Sequence, residues 1–250
     1  MSALLEVTGL TRRFGGLTAV DDVTVSVAKG ELVGLIGPNG AGKTTLFNLI
    51  SGFTPPSRGE VRFKGEVITG LKPFDVARRG MGRTFQNLRI FPNMSVFDNV
   101  SVGAIGSLGA GIGSAFFGKA SSRAISERTN DALEAVGLLA DAEELAANIS
   151  YGKRKYLEIA RALAMRPDLL ILDEPAAGLN DSETKGLADF IRQLHGEGVT
   201  VLLVEHDMAL VMSICQRVVV LASGRKIADA APAAVKMDPA VLEAYLGVEE

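Results

Sequence analysis

The chain is poor in cysteine, and this limits its chemistry. Cys215 is the single cysteine among 250 residues, so no internal disulfide bond can form. Disulfides mark oxidising compartments, and we therefore expect a reducing compartment such as the cytosol. Cys215 lies in an apolar helical pattern, which indicates a buried structural thiol rather than a reactive one. Residues 1–7 lack a basic region followed by an apolar run, so no signal peptide is expected.

Neither a strong charge nor a long apolar run is present. The 26 Lys and Arg residues nearly balance the 29 Asp and Glu residues, giving a net charge of −3 and no long basic tract. A nucleic-acid partner is therefore not expected. The stretch from Val100 to Gly118 is uncharged and nearly long enough to span a bilayer. Its many glycine and serine residues weaken a helix, so we expect a mobile loop or insertion there.

What the chain does have is a regular alternation of strand and helix patterns. Short strand patterns fill residues 4–36, and a helical pattern covers residues 43–51. Helical patterns, one of them over residues 141–147, dominate from residue 89 to 166, and strands alternate with helices again over 169–222. This order predicts an α/β domain spanning residues 1–250, with an N-terminal antiparallel β subdomain and a parallel sheet covered by helices on both faces. Residues 89–166 would form an inserted helical lobe.

A glycine-rich loop joins the strand pattern that ends at Ile36 to the following helix. It matches the phosphate-binding loop in the strand–loop–helix context that this motif requires. Its backbone N–H groups can close around phosphate oxygens, beside the positive end of the helix. We expect Lys43 to hold the β- and γ-phosphates and Thr44 to bind Mg²⁺. The expected nucleotide-binding residues of the loop are Gly37, Pro38, Asn39, Gly40, Ala41, Gly42, Lys43, Thr44 and Thr45.

Two carboxylates follow the apolar strand pattern at residues 169–172. The carboxyl end of a buried parallel strand is where ligands bind in open α/β sheets. Asp173 is therefore placed to hold the Mg²⁺ shell, as in other phosphate-loop NTPases. Glu174 is placed to orient or deprotonate the attacking water. Together with the glycine-rich loop, this pair predicts hydrolysis of a nucleoside triphosphate.

The sequence Ile-Ser-Tyr-Gly-Lys at residues 149–153 precedes this strand and resembles the signature motif of the ATP-binding cassette (ABC) family. The usual form is Leu-Ser-Gly-Gly-Gln, so Ser150 and Gly152 match the functional positions, whereas Tyr151 and Lys153 depart from it. In that family the motif begins a helix and binds the γ-phosphate held by the opposing subunit. The resemblance therefore implies that Ser150 and Gly152 bind ATP in a dimer, with the contact of Lys153 left open.

The same resemblance implies further site residues. Gln86 stands at the position of the family's Q-loop glutamine, a contact of Mg²⁺ and water, and His206 at that of the switch histidine, which contacts the γ-phosphate. Asn180 occupies the D-loop, where aspartate is commoner. Phe14 precedes the glycine-rich loop at a distance that suits an aromatic stacking on adenine. Phe14 as plain core of a small β-sheet is the alternative.

Within the family, the chain looks most like the ATP-binding subunits of branched-chain amino-acid importers, the LivG type. The residues that carry this likeness are the stretches 83–87, 91–95, 175–180, 205–208 and 245–247. It implies MgATP hydrolysis coupled to two integral-membrane permease subunits, a second ATPase subunit and, indirectly, a solute-binding protein. The chain would lie in the cytoplasm on the inner face of the plasma membrane. A heterodimer is expected by resemblance, and a homodimer stays open.

Several alternatives remain at this level. Related importers of urea, amides or other small solutes share many of these residues. Non-transport ABC proteins usually carry two cassettes or long coiled-coil arms, and a GTPase would need an Asn-Lys-x-Asp motif, all of which are missing here. Phe91 and Met94 are expected to contact the permease, with packing inside the helical lobe as the alternative. Phe116 and Phe117 in the glycine-rich insertion 103–122 either touch the membrane or permease, or belong to a loose loop.

Overall fold

The computed structural model describes residues 3–108 and 119–246. The part up to the helical region contains six strands and two helices. In chain order these are β1 (Ala3–Phe14), β2 (Leu17–Ala28), β3 (Leu32–Ile36), α1 (Lys43–Ile50), β4 (Arg58–Phe63), β5 (Glu66–Val67), α2 (Pro73–Arg78) and β6 (Met81–Arg83). Strands β1, β2, β4 and β5 pair antiparallel in the order β2-β1-β4-β5. This small sheet is the antiparallel part expected from the sequence.

The rest of the described chain is helical first and alternates afterwards. Its elements are α3 (Val96–Ser107), α4 (Lys119–Ala135), a 3₁₀ turn (Leu139–Asp141), α5 (Tyr151–Leu163), β7 (Leu169–Asp173), α6 (Asp181–Gly196), β8 (Thr200–Val204), α7 (Met208–Ile214), β9 (Arg217–Ala222), β10 (Arg225–Ala230), α8 (Pro232–Met237) and α9 (Pro239–Leu246). The second sheet has the order β10-β9-β3-β8-β7-β6. It is parallel except for β10, which runs antiparallel to β9 at one edge. The α/β fold class is confirmed.

Successive residues of the parallel strands enter two different cores. In β7, Leu170 and Leu172 face a core shared with the later helices, whereas Leu169 and Ile171 face a core shared with α1 and the small sheet. A strand sends alternate side chains to opposite faces, so a sheet covered on both faces needs apolar residues at every position. This explains the uninterrupted apolar runs. It also brings the carboxyl ends of β3, β7 and β8 to one edge.

One helix prediction and one loop prediction are wrong in part. The stretch 141–147 forms no α-helix beyond the 3₁₀ turn, because its backbone pairs with the start of α3: Ala146 donates to the carbonyl of Met94 and Val96 to that of Glu144. Residues expected as loop from Val100 onward are helical as far as Ser107. Gly103 explains this, since a Cβ there would collide with the carbonyl of Arg161, so the glycine lets α3 pack closely on α5.

Some elements were not predicted at all, namely β5, α2, β10, α8 and α9. The helical segment lies between β6 and β7, and its interpretation as an inserted lobe over residues 89–166 stays a prediction. Phe116 and Phe117, with the rest of residues 109–118 of the glycine-rich insertion, lie outside the described residues. Within residues 3–108 and 119–246, none of the helices has both the length and the apolar character needed to cross a membrane.

Candidate active site

The glycine-rich loop lies between β3 and α1 and folds around the ammonium group of Lys43. Lys43 Nζ donates to the carbonyl oxygens of Gly37 at 2.6 Å and of Pro38 at 3.2 Å. Gly42 has a φ of 97°, and a Cβ there would collide with the carbonyl of Ala19, so the turn requires glycine. Burial lowers the pKa of Lys43, and the charges of Glu174 and Asp173 oppose this shift. A buried cation therefore stands at the mouth of a loop whose N–H groups favour anions.

A cleft of about 610 Å³ opens over this loop. Its walls come from the loop, from the start of β2, and from the ends of β7, β8 and β9. The lining residues are Leu17, Thr18, Ala19, Asn39, Gly40, Ala41, Gly42, Lys43, Thr44, Thr45, Gln86, Glu174, His206, Ser223 and Gly224. The structure therefore brings Gln86, Glu174 and His206, which lie far apart in sequence, to the phosphate loop.

Glu174 is the centre of this cluster. Gln86 Nε2 donates to its Oε2 at 2.6 Å, and His206 Nε2 lies 2.5 Å from its Oε1. Its backbone has a φ of 49°, a left-handed conformation that costs a non-glycine residue about 1 kcal/mol or more. Hydrogen bonds hold this turn, since the Glu174 N–H donates to the carbonyl of Val204 and Lys155 Nζ donates to the carbonyl of Glu174 at 3.5 Å. Glu174 lines the cleft, whereas Asp173 lines a neighbouring hollow.

Asp173 forms a buried ion pair that no sequence motif predicts. Arg83 Nη2 lies 3.0 Å from Asp173 Oδ2, and the two side chains are 7% and 4% exposed. Arg83 also donates to the side-chain oxygens of Asn48 and Ser51. Burial lowers the pKa of Arg83, opposed by the hydrogen bond and charge of Asp173. Asp173 is therefore held in one orientation before any nucleotide binds.

The three side chains expected to bind Mg²⁺ line one hollow of about 300 Å³ beside the cleft: Thr44, Gln86 and Asp173. Hydroxyl, amide and carboxylate oxygens are the hard donors that Mg²⁺ takes, usually together with substrate phosphates and water. Across the described parts of the chain, no group of three His, Cys, Asp or Glu side chains is placed to hold a metal ion by itself. The donor set thus fits a Mg²⁺ shared with a nucleotide.

Phe14 lies at the end of β1, opposite Leu17. It is 47% exposed, so the alternative that it is core of the small sheet does not hold. The guanidinium group of Arg12 stands 4.5 Å from the centre of its ring. Phe14 is outside the cleft lining described above, whereas Leu17 is part of it. Stacking of Phe14 on adenine stays a prediction.

The residues of the signature-like motif begin α5 and do not line the phosphate cleft of their own chain. Ser150 caps the helix by accepting from the N–H of Lys153 at 3.3 Å. Lys153 Nζ donates to both carboxylate oxygens of Asp141 at 2.8 Å, so its charge is already paired. The Tyr151 hydroxyl donates to the carbonyl of Ala177 at 3.3 Å. Ser150 and Gly152 are thus not among the residues that line the cleft over Lys43 of the same chain.

Comparison with known proteins places this arrangement in a family. Residues 20–177 match the family model described as ABC transporter. The chain is 45% identical, over 98% of both chains, to the high-affinity branched-chain amino acid transport ATP-binding protein BraF of Pseudomonas aeruginosa.

The chain belongs to the ATP-binding proteins of ABC transporters.

Further matches agree with this assignment. The cassette is 44% identical, over 98% of both chains, to the high-affinity branched-chain amino acid transport ATP-binding protein LivG of Escherichia coli strain K12. Residues 225–250 match the model described as branched-chain amino acid ATP-binding cassette transporter. The crystal structure of the ADP conformation of an ATP-binding cassette of an ABC transporter has a TM-score of 0.87 at 31% identity, covering 99% of this chain and 100% of that chain. The expected ATP-binding transport subunit and ATPase are thereby confirmed.

Four charged residues of the cassette contact the site or its supports, although no sequence motif predicts a role for them. They are Arg83, Lys155, Glu158 and Glu205. Glu205 is 3% exposed and accepts from the N–H groups of Ala176 at 2.7 Å and His206 at 3.2 Å. The sequence signal is a charged residue within an apolar helical face or at the end of an apolar strand. Such a position is expected to be buried, and a charged residue is rarely buried without a partner.

Proposed function

We propose that the cassette is the MgATP-hydrolysing subunit of an importer for branched-chain amino acids. The observation that carries the hydrolytic part is Glu174, held between Gln86 and His206 above the phosphate loop. The substrate rests on the full-length similarity to BraF and LivG. A related importer of urea, amides or other small solutes is the alternative, and a non-transport ABC ATPase is a more distant one.

The phosphate loop would hold the nucleotide through its backbone N–H groups. Lys43 would exchange its contacts with the carbonyls of Gly37 and Pro38 for the β- and γ-phosphates. Thr44, Asp173 and Gln86 would hold Mg²⁺, which neutralises charge on the phosphates during transfer. Asp173 is already oriented by Arg83, so little reorganisation is needed when the metal ion enters.

Glu174 would act as general base. It takes a proton from the attacking water while the water oxygen bonds to the γ-phosphorus, and the bond from that phosphorus to the β–γ bridging oxygen breaks to leave ADP and inorganic phosphate. In the described conformation both carboxylate oxygens of Glu174 are engaged, by Gln86 and by His206. Binding of ATP would redirect His206 to the γ-phosphate and Gln86 to the water and metal, leaving Glu174 free to accept the proton.

A complete site would need two subunits. Ser150 and Gly152 lie at the N-terminus of α5, where N–H groups favour an anion, but outside the cleft of their own chain. A head-to-tail pair would place them on the γ-phosphate held by the partner, and closure and reopening of the pair would drive the membrane subunits. The partner ATPase would be a second, different subunit, and a homodimer is the alternative.

The membrane partners would be two integral permease subunits, with a solute-binding protein acting on the far side. The cassette would then lie on the inner face of the plasma membrane. Phe91 is 46% exposed and lies five positions after Gln86, which supports it as a permease contact beside Met94. A displacement of the permease at Phe91 would thus be transmitted to Gln86 through the short stretch of chain between them.

The partners can be tested by trapping. A tagged Glu174→Gln chain is expressed in its native cells, held closed with MgATP, solubilised and purified, and the copurifying proteins are identified. We expect to recover two permeases and a second ATPase subunit. A copurifying solute-binding protein would identify the substrate. Lys43→Ala, which weakens nucleotide binding, is the matched control and should recover fewer closed complexes. Recovery of ribosomes, DNA or the chain alone would contradict the transporter proposal.

A further inference from the structure

The segment that carries Gln86 is held by two charged residues of α5. Glu158, which is 4% exposed, accepts from the backbone N–H of Phe85 at 3.2 Å. Arg161 donates to the carbonyl of Arg89 at 2.5 Å, and its guanidinium group stands 5.8 Å from the centre of the Phe91 ring. These contacts lie on both sides of Gln86. The segment 85–91 is therefore clamped to α5 immediately before and shortly after the glutamine.

Burying this pair is unfavourable in itself. Arg161 Nη2 lies 3.8 Å from Glu158 Oε1, and the side chains of Glu158 and Arg161 are 4% and 17% exposed. Burial raises the pKa of Glu158, and Arg161 and the N–H of Phe85 oppose the rise. Burial also lowers the pKa of Arg161, opposed by Glu158. Apolar residues of similar volume often stabilise a protein as well as such a pair does, so stability alone does not account for these charges.

The clamp also connects two parts of the site. Ser150 caps the N-terminus of α5, and Glu158 lies eight positions later, about 12 Å along the helix axis. Rigid secondary elements such as this helix carry energetic coupling between sites. A displacement of the Ser150 end therefore carries the hydrogen bond to Phe85, and with it Gln86, which donates to Glu174.

We propose that Glu158 and Arg161 are positioning residues that hold Gln86 against Glu174 and couple it to the Ser150 end of α5. The inference rests on the role of Gln86 in the proposed function. Through this clamp, binding of the partner's nucleotide at the Ser150 end of α5 changes the position of Gln86 in the same chain. Loss of the clamp leaves the phosphate loop intact, so nucleotide binding persists while hydrolysis slows.

A spin label next to Gln86 measures the clamp directly. Asn87 is exposed, and an Asn87→Cys chain can be labelled there with a thiol-specific nitroxide. Cys215 does not compete, because it is 7% exposed and burial raises the pKa of its thiol to about 12. Asn99 of α3 also binds the backbone of Phe91, so loosening is expected mainly at the Gln86 end.

Three variants are compared in the labelled full-length chain. Glu158→Ala removes the acceptor, and we expect faster label motion. Glu158→Gln keeps an oxygen acceptor for the N–H of Phe85, and the wild-type spectrum is expected. Leu133→Ala is the control for general loosening, since Leu133 is buried on α4 and is 0% exposed. In the unlabelled chains, Glu158→Ala should lower kcat about tenfold or more with KM for ATP changed less than about twofold, and Glu158→Gln should restore kcat.

Several results would overturn the proposal. Unchanged label motion in Glu158→Ala, or equal loosening in Leu133→Ala, would show that Glu158 does not hold the segment. Failure of Glu158→Gln to restore the spectrum would remove the hydrogen bond to Phe85 as the cause. A loosened segment with normal kcat would retain the clamp and contradict instead the role of Gln86 in hydrolysis.

Discussion

Replacing Glu205 by glutamine should change how stability depends on pH. Burial raises the pKa of this carboxyl from 4.5 to about 7, with Glu174 and Asp207 adding to the rise and the N–H groups of Ala176 and His206 opposing it. Between pH 4.5 and about 7, the Glu205 carboxyl therefore stays protonated in the folded state, whereas it has lost its proton in the unfolded state. Stability falls as pH rises through that window and is constant above it. At about 1.4 kcal/mol per pKa unit, the full loss is ~3 kcal/mol.

Glu205→Gln removes this titration, so the difference in unfolding free energy between the variant and the wild type isolates it. Chemical denaturation at pH 5 and pH 8 measures that difference. Between pH 5 and pH 8, the unfolding free energy of the variant should rise by roughly 2 to 3 kcal/mol relative to that of the wild type. An effect of the amide on stability that is the same at both pH values cancels in this comparison. Glu134→Gln, at an exposed position, measures what the same substitution does away from the site. A difference that is the same at both pH values would refute the reasoning.

Three further predictions concern the site. Lys43→Ala should weaken ATP binding by removing the buried ammonium group, and titration with a fluorescent ATP analogue checks this; unchanged affinity would contradict it. Glu174→Gln should keep ATP binding and cut phosphate release by roughly a hundredfold or more, the scale for loss of a general base, and ordinary turnover would remove Glu174 from that role. Arg83→Met should cost about 3 kcal/mol or more by leaving Asp173 buried without its cation, measured as a lower Tm that MgATP partly restores. An unchanged Tm would contradict the pairing.

Local patterns were enough to predict the elements that surround the phosphate loop. The loop at residues 37–44 and the strand ending at Asp173 are contiguous in sequence, and their geometry follows from glycine and from uninterrupted apolar residues. The edge strand β10 and the last two helices, α8 and α9, lack comparable patterns and were missed. The stretch 141–147 looked helical by itself but pairs with the start of α3, a tertiary contact that local propensity does not contain.

The candidate site likewise has residues that the sequence predicts and residues that it does not. The likeness to ABC proteins pointed to Gln86 and His206, and the structure brings both to Glu174. Arg83, by contrast, pairs with Asp173 across 90 positions of sequence, and no local pattern predicts this contact. Glu158 likewise reaches Phe85 from another element. The supports of a site come from tertiary packing, whereas its motifs are local.

The central claim is that ATP hydrolysis at Glu174 drives import of branched-chain amino acids. The most direct test is uptake of labelled leucine, isoleucine and valine by native cells in which the wild-type chain is replaced by Glu174→Gln, with labelled urea measured in parallel. The account predicts loss of branched-chain amino-acid uptake with the variant chain still present at the membrane. Undiminished uptake of these amino acids, or loss confined to urea, would contradict it.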